Sequence, residues 1–465
     1  MTERPGQAED HHRKEGGQEE ARGAHPAGDH DMDLPEGVML HKSMRAYLYY
    51  HFRQFLSRSR RSPRVRQVAM LYAANFFGIP LALVTSIVFT RFLGPRAYGD
   101  FAFLDSIFEF GKIIFTFGFF YSGSRAIVLN HRLQRTREYY GASLVVLLVL
   151  FLVMSVFFVG YGLLDNNLEN KGLTRFFLML VPFGWIFLLM PYFDTLLKAD
   201  NRIRALSASR FMPKVVLFAG ALGVYFFLGD FQGSRLGVVW GLYLTAFFVV
   251  YAAILLRIRV SFHSLRRRIR ELWMYNRKFG VHIYTGGLFY AGSLSLTTIM
   301  VSYFSPDNSG VGFLALALAI TRVLELLPTA IATAYFRDFA TQQSLSRTLL
   351  FITVMLALGG LALTWVLIGP FIRLFYSEDF VPVIALVFPV SAAMLMHGMA
   401  GFLNRFLEAR GQGKAIRNTY VITGVTLVAS SLLLIPSGLE AGAATALLIS
   451  GVVYLAVMTV YYKKR

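Results

Sequence analysis

Long apolar runs alternate with short polar loops from residue 68 to residue 462 of this 465-residue chain. Most runs reach the roughly 20 residues that a helix needs to cross a bilayer, and the short fifth run is expected to extend into its flanks. The twelve runs lie at 68–92, 100–122, 141–163, 176–197, 215–228, 237–256, 281–304, 311–335, 348–372, 384–407, 419–436 and 442–462. The pattern therefore predicts an all-α polytopic membrane protein with twelve transmembrane helices.

One phrase occurs twice within this pattern. The copies read SIVFTRFLGPRAYGDFAFL at 86–104 and TTIMVSYFSPDNSGVGFLA at 297–315. With a shift of 211 positions, Pro95 falls on Pro306 and Gly99 falls on Gly310. In each copy a short Pro/Gly turn joins two apolar runs, as expected of homologous halves in a transporter.

The repeat predicts two pseudo-symmetric six-helix bundles around a central cavity. We place the N-terminal bundle at 67–270 and the C-terminal bundle at 271–465. Residues 1–37 are polar and Gly-rich and are predicted to be a disordered tail. Residues 38–66 contain eight Lys/Arg and no acid. Their apolar residues recur at helical spacing, which predicts a basic amphipathic helix on anionic membrane lipids or a plain juxtamembrane anchor.

Loop charges predict the orientation of the chain. The loops at 123–140, 198–214, 257–280, 336–347 and 408–418 hold 4, 5, 8, 2 and 3 Lys/Arg. The loops at 93–99, 164–175, 229–236, 305–310, 373–383 and 437–441 hold 1, 2, 1, 0, 1 and 0. Basic loops stay in the cytoplasm, so we expect the first set and both termini to face the cytoplasm across a bacterial inner membrane.

Composition excludes several classes of protein. Hydrophobic residues make up 55% of the chain and charged residues 16%, which is membrane-protein composition. The chain has no cysteine, which excludes disulfides and cysteine chemistry. The net charge of +19 lies largely in short loops, so we expect no nucleic-acid partner. No nucleotide-binding or catalytic motif occurs, and we expect neither enzymatic activity, a resident metal nor a cofactor.

Three segments resemble the polysaccharide-transport (Wzx-like) branch of the multidrug/oligosaccharidyl-lipid/polysaccharide exporter superfamily. They are TRFLGPRAYGDFAF at 90–103, VSYFSPDNSGVGFLALALAITRVLELLPTAI at 301–331, and the tail from LFYSEDFVPVIALVFPV at 374–390 through ARGQGKAIRNTYVITGVTLVASSLLLIPSGLEAGAATALLISGVVY at 409–454. The second segment lacks the Leu-Gly before its Pro and has Ser309 at the position of Tyr98. These motifs form structural turns, so they indicate the fold better than the substrate.

The resemblance implies a flippase for a polyprenyl-diphosphate-linked oligosaccharide, working by alternating access and possessing no enzymatic activity. The implied partners are that lipid, anionic membrane lipids and other polysaccharide-assembly proteins. Coupling to a proton or a sodium ion is compatible with it. Three alternatives stay open: a multidrug or organic-cation antiporter, a lipid II flippase, and a membrane scaffold for glycan enzymes.

Two apolar runs carry ionisable residues at mid-membrane depth, where burial of charge is costly and usually functional. Asp105, Glu109 and Lys112 belong to the second run, and Arg322 and Glu325 to the eighth. The i,i+3 spacing places Glu109 with Lys112 and Arg322 with Glu325 on one helical face. We expect Lys112 and Arg322 to bind a diphosphate across the cavity, with the carboxylates as counter-ions or proton acceptors. In the structural alternative, each pair only neutralises itself.

Other candidates border the apolar runs. We assign Arg91 and Arg125 as further cavity cations, with helix interfaces as the favoured alternative. Asp194 is assigned as a further counter-ion, with a gate or a plain helix-end charge as alternatives. Asn404, Arg405 and Glu408 are assigned as a cytoplasmic gate. For the last three residues, a plain helix boundary is an equally good interpretation. His282 and His397 are expected to be hydrogen-bonded packing residues.

Overall fold

The computed structural model describes residues 63–130, 133–227 and 233–464. They belong to one compact unit that runs from Pro63. The predictions for residues 1–37, and for all but the end of 38–66, lie outside these residues and stay predictions.

The described residues are predominantly helical. In chain order the longer helices are α1 (Pro63–Phe115), α2 (Phe119–Leu129), α3 (Leu133–Leu164), α4 (Asn166–Asn170), α5 (Thr174–Leu180), α6 (Trp185–Ala199), α7 (Ile203–Phe227), α8 (Arg235–Ile258), α9 (Leu265–Tyr275), α10 (Val281–Phe304), α11 (Ser309–Ala334), α12 (Phe336–Phe339), α13 (Arg347–Phe375), α14 (Val383–Ala409) and α15 (Gly413–Lys463). Short 3-10 turns at Val181–Phe183 and Glu378–Phe380 and a π-helix at Asn276–Gly280 connect some of them.

Within the described part of the chain, nine helices are long and apolar enough to cross a membrane. The pair α5 and α6, bent by 40°, makes a tenth candidate span. Two of the nine carry a non-helical residue in their middle: Gly94 in α1 (φ 73°) and Leu439 in α15 (φ 48°). Division of both helices at these residues gives twelve segments. The number of membrane crossings itself stays a prediction.

The fifth span begins earlier in the structure than the sequence predicted. The run was expected at 215–228 behind a basic loop, but α7 already begins at Ile203. Pro213 and the basic residues before it have the composition of a loop, yet the helix continues through the proline. Arg210 and Lys214 therefore lie inside a candidate membrane span and not in the loop.

Helix packing separates the two halves of the chain. In the second half α14 packs on α11, α13 and α15, and α10 packs on α15. In the first half α1 packs on α7 and α8. Phe108 stacks on Phe187 with ring centroids 5.0 Å apart and lies beside Trp240, and these large buried side chains fill the first half. The halves meet where α1 packs on α10 and α11.

The two copies of the repeated phrase contact each other at this junction. A Cβ atom on Gly99 would lie 1.7 Å from the Asn308 carbonyl oxygen, and one on Gly312 would lie 2.7 Å from the Pro95 carbonyl oxygen. Only glycine allows the backbones to approach this closely. The repeat thus marks the contact surface of the halves, which we call the outer seam because its loops are predicted to face away from the cytoplasm.

A second contact joins the halves near the opposite end. Here the break between α1 and α2 faces the π-helix. Asn276 donates to the Phe117 carbonyl oxygen at 3.0 Å, and the Tyr284 hydroxyl donates to the Ile114 carbonyl oxygen at 2.7 Å. A Cβ on Gly118 would lie 2.5 Å from the Gly280 backbone. The break between α1 and α2 and the π-helix before α10 therefore lie at the same point of close approach between the halves.

Candidate functional site

Two cations from different halves share one depth in the molecule. Arg322 lies 13 residues after the start of α11, and Lys214 lies 13 residues before the end of α7. At 1.5 Å per residue, each is about 20 Å from the outer end of its helix in the predicted topology. Arg322 and Arg210 both have an unfavourable electrostatic effect on the Lys214 ammonium.

This cation pair lacks a carboxylate partner. The Lys214 ammonium donates to the Gly78 carbonyl oxygen at 3.3 Å. Arg322 is exposed and Glu325 is half-buried. Glu325 feels the charge of Arg322, but no ion pair joins Arg322 or Lys214 to any carboxylate of the residues described. The predicted Arg322–Glu325 pair is therefore not closed, and two cations are left for an anionic ligand.

The corresponding pair in the first half is closed. Lys112 forms a short ion pair with Glu109, and its ammonium also lies 3.9 Å from the Met190 sulfur. The Lys112 side chain is only 16% exposed. Asp105 lies one turn away, and its carboxyl interacts electrostatically with both partners while its Oδ1 atom is buried without a hydrogen bond. Lys112 therefore neutralises its own neighbours first.

Asp194 is also paired within the first half. Arg210 forms a short ion pair with its Oδ1 atom, and Lys198 approaches its Oδ2 atom at 3.7 Å. The Asp194 side chain is 38% exposed. Two cations therefore compensate this carboxylate, and its role in the coupling or counter-ion set stays a prediction.

Arg91 and Arg125 lie near opposite ends of the first half. The Arg91 guanidinium donates to the carbonyl oxygens of Phe375 at 2.7 Å and Leu374 at 3.1 Å, at the C-terminus of α13. A cation is favourable there because the last helix carbonyls carry partial negative charge. Arg125 lies over the Phe279 ring at 5.4 Å to its centroid. Both arginines contact the other half, as expected of interface residues, and their assignment as cavity cations stays a prediction.

The three gate candidates have different surroundings. Asn404 is buried and donates to the hydroxyls of Tyr420 at 2.7 Å and Tyr454 at 3.0 Å. Arg405 and Glu408 form an exposed i,i+3 pair at 2.6 Å. These contacts favour the plain helix boundary over the gate. His397 accepts or donates within a polar group that includes the Tyr290 hydroxyl at 3.3 Å, as expected of a packing histidine.

A polar network closes the outer seam. Asn308 of the second half donates to the Asp100 carboxylate at 2.7 Å, and its Oδ1 atom accepts from Ser302 at 2.6 Å and from Lys171 at 2.8 Å. Lys171 also donates to the hydroxyl of Ser302 at 2.8 Å. Burial lowers the pKa of Lys171 to about 8, although Asp100 and the nearby Asp307 act to raise it. We call Asp100, Lys171, Ser302 and Asn308 the outer clasp.

Lys214 and Lys171 were missed by the sequence prediction. Lys214 was counted as a loop charge because it follows Pro213 at the edge of the apolar run. The uninterrupted helical spacing from Ile203 could have placed it in the span. Lys171 carries no local signal, because its partners lie more than 130 positions away.

The described residues form two helical halves with candidate membrane spans in both, and Lys214 and Arg322 form no ion pair with a described carboxylate. A family model described as "Polysaccharide biosynthesis protein" matches residues 65–340. The match covers more than half of the chain, which belongs to this family. The predicted resemblance to the polysaccharide-transport branch is thereby confirmed. None of the curated proteins matches the sequence.

Solved structures show the same fold. "Lipid II flippase MurJ, inward closed conformation" superposes with a TM-score of 0.67 at 13% identity, covering 85% of this chain and 87% of that chain. An inward-facing multidrug resistance MATE transporter of the MOP superfamily gives 0.63 at 12% identity, covering 83% and 94%. The outward-facing conformation of such a transporter gives 0.57 at 12% identity, covering 86% and 95%. The predicted all-α fold of pseudo-symmetric bundles is confirmed.

Proposed function

We propose that the protein is a flippase that carries a polyprenyl-diphosphate-linked oligosaccharide across the cytoplasmic membrane, with both termini on the cytoplasmic side. The family match supports a role in polysaccharide biosynthesis. A structural neighbour whose title names a lipid II flippase supports transport of a lipid-linked glycan. The halves 67–270 and 271–465 would alternate access to a site between them.

The cation pair of Lys214 and Arg322 carries this proposal. A diphosphate presents adjacent anionic oxygens, and two cations from opposite halves match that charge. The arginine fork suits two oxygens at once, while lysine acts as a point charge. The two positive charges act unfavourably on each other in the empty site, and no ion pair with a described carboxylate compensates them. Binding of the diphosphate would remove that repulsion and draw the halves together.

Within this proposal, the closed outer clasp corresponds to the stage of the transport cycle in which the site is shut off from the outer side. With the outer seam closed, substrate would enter from the cytoplasmic side. The contact of Asn276 with Phe117 would remain as a pivot at the cytoplasmic end. Glu325 or Asp105 would be the acceptor if a proton couples transport.

The test is glycan export in a strain that lacks the gene, with the amount of membrane protein measured in parallel. Arg322→Ala should abolish export without loss of protein, since Glu325 can take up a proton instead of unfolding the helix. Arg322→Lys should retain part of the activity because the charge is kept. Rescue by Arg322→Ala/Glu325→Ala would show that Arg322 is only a counter-ion and would overturn the site assignment.

The same variants separate the alternatives. A scaffold for glycan enzymes would keep its function when Lys214 and Arg322 are both neutralised. An organic-cation antiporter would transport its substrate better without these two positive charges. A lipid II flippase would share the diphosphate site. An assay of lipid II transport, used in place of the glycan-export assay, distinguishes it.

A further inference from the structure

Helix α9, in the link between the two halves, presents a basic face that the transport proposal does not use. It belongs to the connection at 257–280, which holds more Lys/Arg than the other loops counted above. This connection lies between two candidate membrane spans, of which one ends at Ile258 and the next begins at Ile283. With fewer than 25 residues between these spans, α9 must lie close to one face of the bilayer. Its orientation on that face is set by its buried side.

A buried ion-pair network holds the inward side of α9 in place. The Arg268 guanidinium donates to Glu138 of α3 at 2.7 Å and to Glu271 at 2.8 Å, and it lies over the Tyr139 ring. The Arg268 and Glu138 side chains are 8% and 5% exposed. Burial acts to raise the pKa of Glu271, but hydrogen bonds from Tyr139 and Arg268 outweigh it and lower that pKa. Leu272 packs beneath the same face. The helix cannot rotate without breaking this network.

The outward side of α9 combines arginines with exposed apolar residues. At 100° per residue, Arg266 and Arg270 share one face with Trp273. Trp273 is 51% exposed and Met274 44% exposed. The N-terminal part of this face forms an open concavity of about 620 Å³. Its lining residues are Ser264, Leu265, Arg266, Arg267 and Arg270, of which three are cationic and none acidic.

We propose that the exposed face of α9 binds the headgroups of anionic phospholipids on the bilayer face beside it. Within the described residues, Arg266 and Arg270 form no ion pair, whereas Arg267 is 3.2 Å from Glu271. Each basic residue close to an anionic surface strengthens binding by about 1 kcal/mol. An exposed tryptophan beside them suits the boundary between headgroups and acyl chains, because its ring is apolar and its N–H is polar. The fixed helix would thus anchor the link between two moving halves to the membrane.

Trp273 offers a direct readout of this contact. The full-length protein would be placed in phosphatidylcholine bilayers that contain brominated phosphatidylglycerol or, separately, brominated phosphatidylcholine at the same mole fraction. The bromine atoms would be near the headgroup, and the signal of Trp273 would be the difference between wild type and Trp273→Phe. We expect brominated phosphatidylglycerol to quench Trp273 more strongly. Arg266→Gln/Arg270→Gln should reduce this preference at least about fivefold, the factor that corresponds to 1 kcal/mol.

A matched variant controls for overall charge. Arg204→Gln/Arg347→Gln removes the same two charges from exposed positions elsewhere and should leave the preference unchanged. Equal quenching by the two brominated lipids would overturn the proposal, because the contact would then not select anionic headgroups. Absence of quenching by both would also overturn it and would indicate that this face meets water or a protein. If Arg204→Gln/Arg347→Gln also lost the preference for brominated phosphatidylglycerol, the preference would reflect the total charge of the protein and not a contact of α9.

Discussion

The outer seam and the middle of the molecule treat charge in opposite ways. At the seam, Lys171 and Asp100 of the first half form hydrogen bonds of 2.7–2.8 Å with Asn308 and Ser302 of the second half. In the middle, Lys214 and Arg322 belong to different halves and form no ion pair with a carboxylate of the described residues.

Satisfied polar contacts hold two surfaces together, whereas unsatisfied charges of one sign keep them apart until a ligand compensates them. In our proposal the seam is therefore the closure and the middle is the binding site, although both lie between the same two halves. The Glu109–Lys112 pair shows that buried position alone does not make a site. It has the same i,i+3 spacing as Arg322 and Glu325 but is already neutral.

The largest effect is expected at Lys214. Lys214→Met should lower flipping of a polyprenyl-diphosphate glycan in proteoliposomes by about ten- to a hundredfold, because a hydrogen bond to a charged group contributes about 1.5–3 kcal/mol. Lys214→Arg should keep most activity, and Arg204→Met on the same helix serves as the control. Full activity of Lys214→Met in correctly inserted protein would show that Lys214 does not bind the substrate, and the proposed contrast between the seam and the site would be wrong.

The next effect is expected at Gly99. Gly99→Ala adds a Cβ that would lie 1.7 Å from the Asn308 carbonyl oxygen, so the seam should fail to close. Overpacking of this kind costs about 1–3 kcal/mol, which is roughly a five- to 150-fold shift toward the open seam. The chain has no cysteine, so Ser305→Cys at the buried seam is a unique reporter. Its labelling by a thiol reagent should accelerate; an unchanged rate would mean that the seam tolerates the methyl group.

A smaller effect is expected from the pH dependence of the clasp. Lys171 has a pKa of about 8 in the closed seam, compared with the usual 10.5. When the seam opens to water the pKa returns toward the usual value, so between pH 8 and 10.5 the open state binds more protons. Raising the pH through this window should favour the closed seam, by at most about tenfold per unit.

Labelling of Ser305→Cys, normalised to an exposed Ser437→Cys reporter, should therefore slow as the pH rises. The normalisation removes the pH dependence of the thiol itself. Lys171→Met should abolish this trend. A trend that persists in Lys171→Met would assign the titration to another group.

The smallest effect is expected at the closed pair. Glu109→Gln/Lys112→Met removes both charges together and should change flipping by less than about twofold, because exchange of a buried pair for neutral side chains is often nearly neutral. Lys112→Met alone should lower protein yield, since it leaves Glu109 uncompensated. A transport defect in the double variant with normal yield would return Lys112 to the binding site.

The sequence predicted the features that depend on local chemistry. Pro95 and Gly99 marked the turn where the halves meet, and the spacing of Arg322 and Glu325 placed both on one helix face. Whether that pair closes depends on which side chains neighbouring helices bring near, and the spacing along one helix does not contain that information. The sequence also misplaced the start of α7, because Pro213 does not end the helix. The clasp joins residues from three distant segments, so local patterns could not reveal it.

The contact between the two copies of the repeated phrase has a consequence for ancestry. In a twofold-symmetric dimer, a surface meets its own copy, and each residue's contact is repeated with the partners exchanged. Gly99 against Asn308 and Gly312 against Pro95 are contacts between the two copies within one polypeptide. We infer that the outer seam is the kind of surface through which two half-length subunits could have associated before fusion. Two separately expressed halves should find each other through it and restore export.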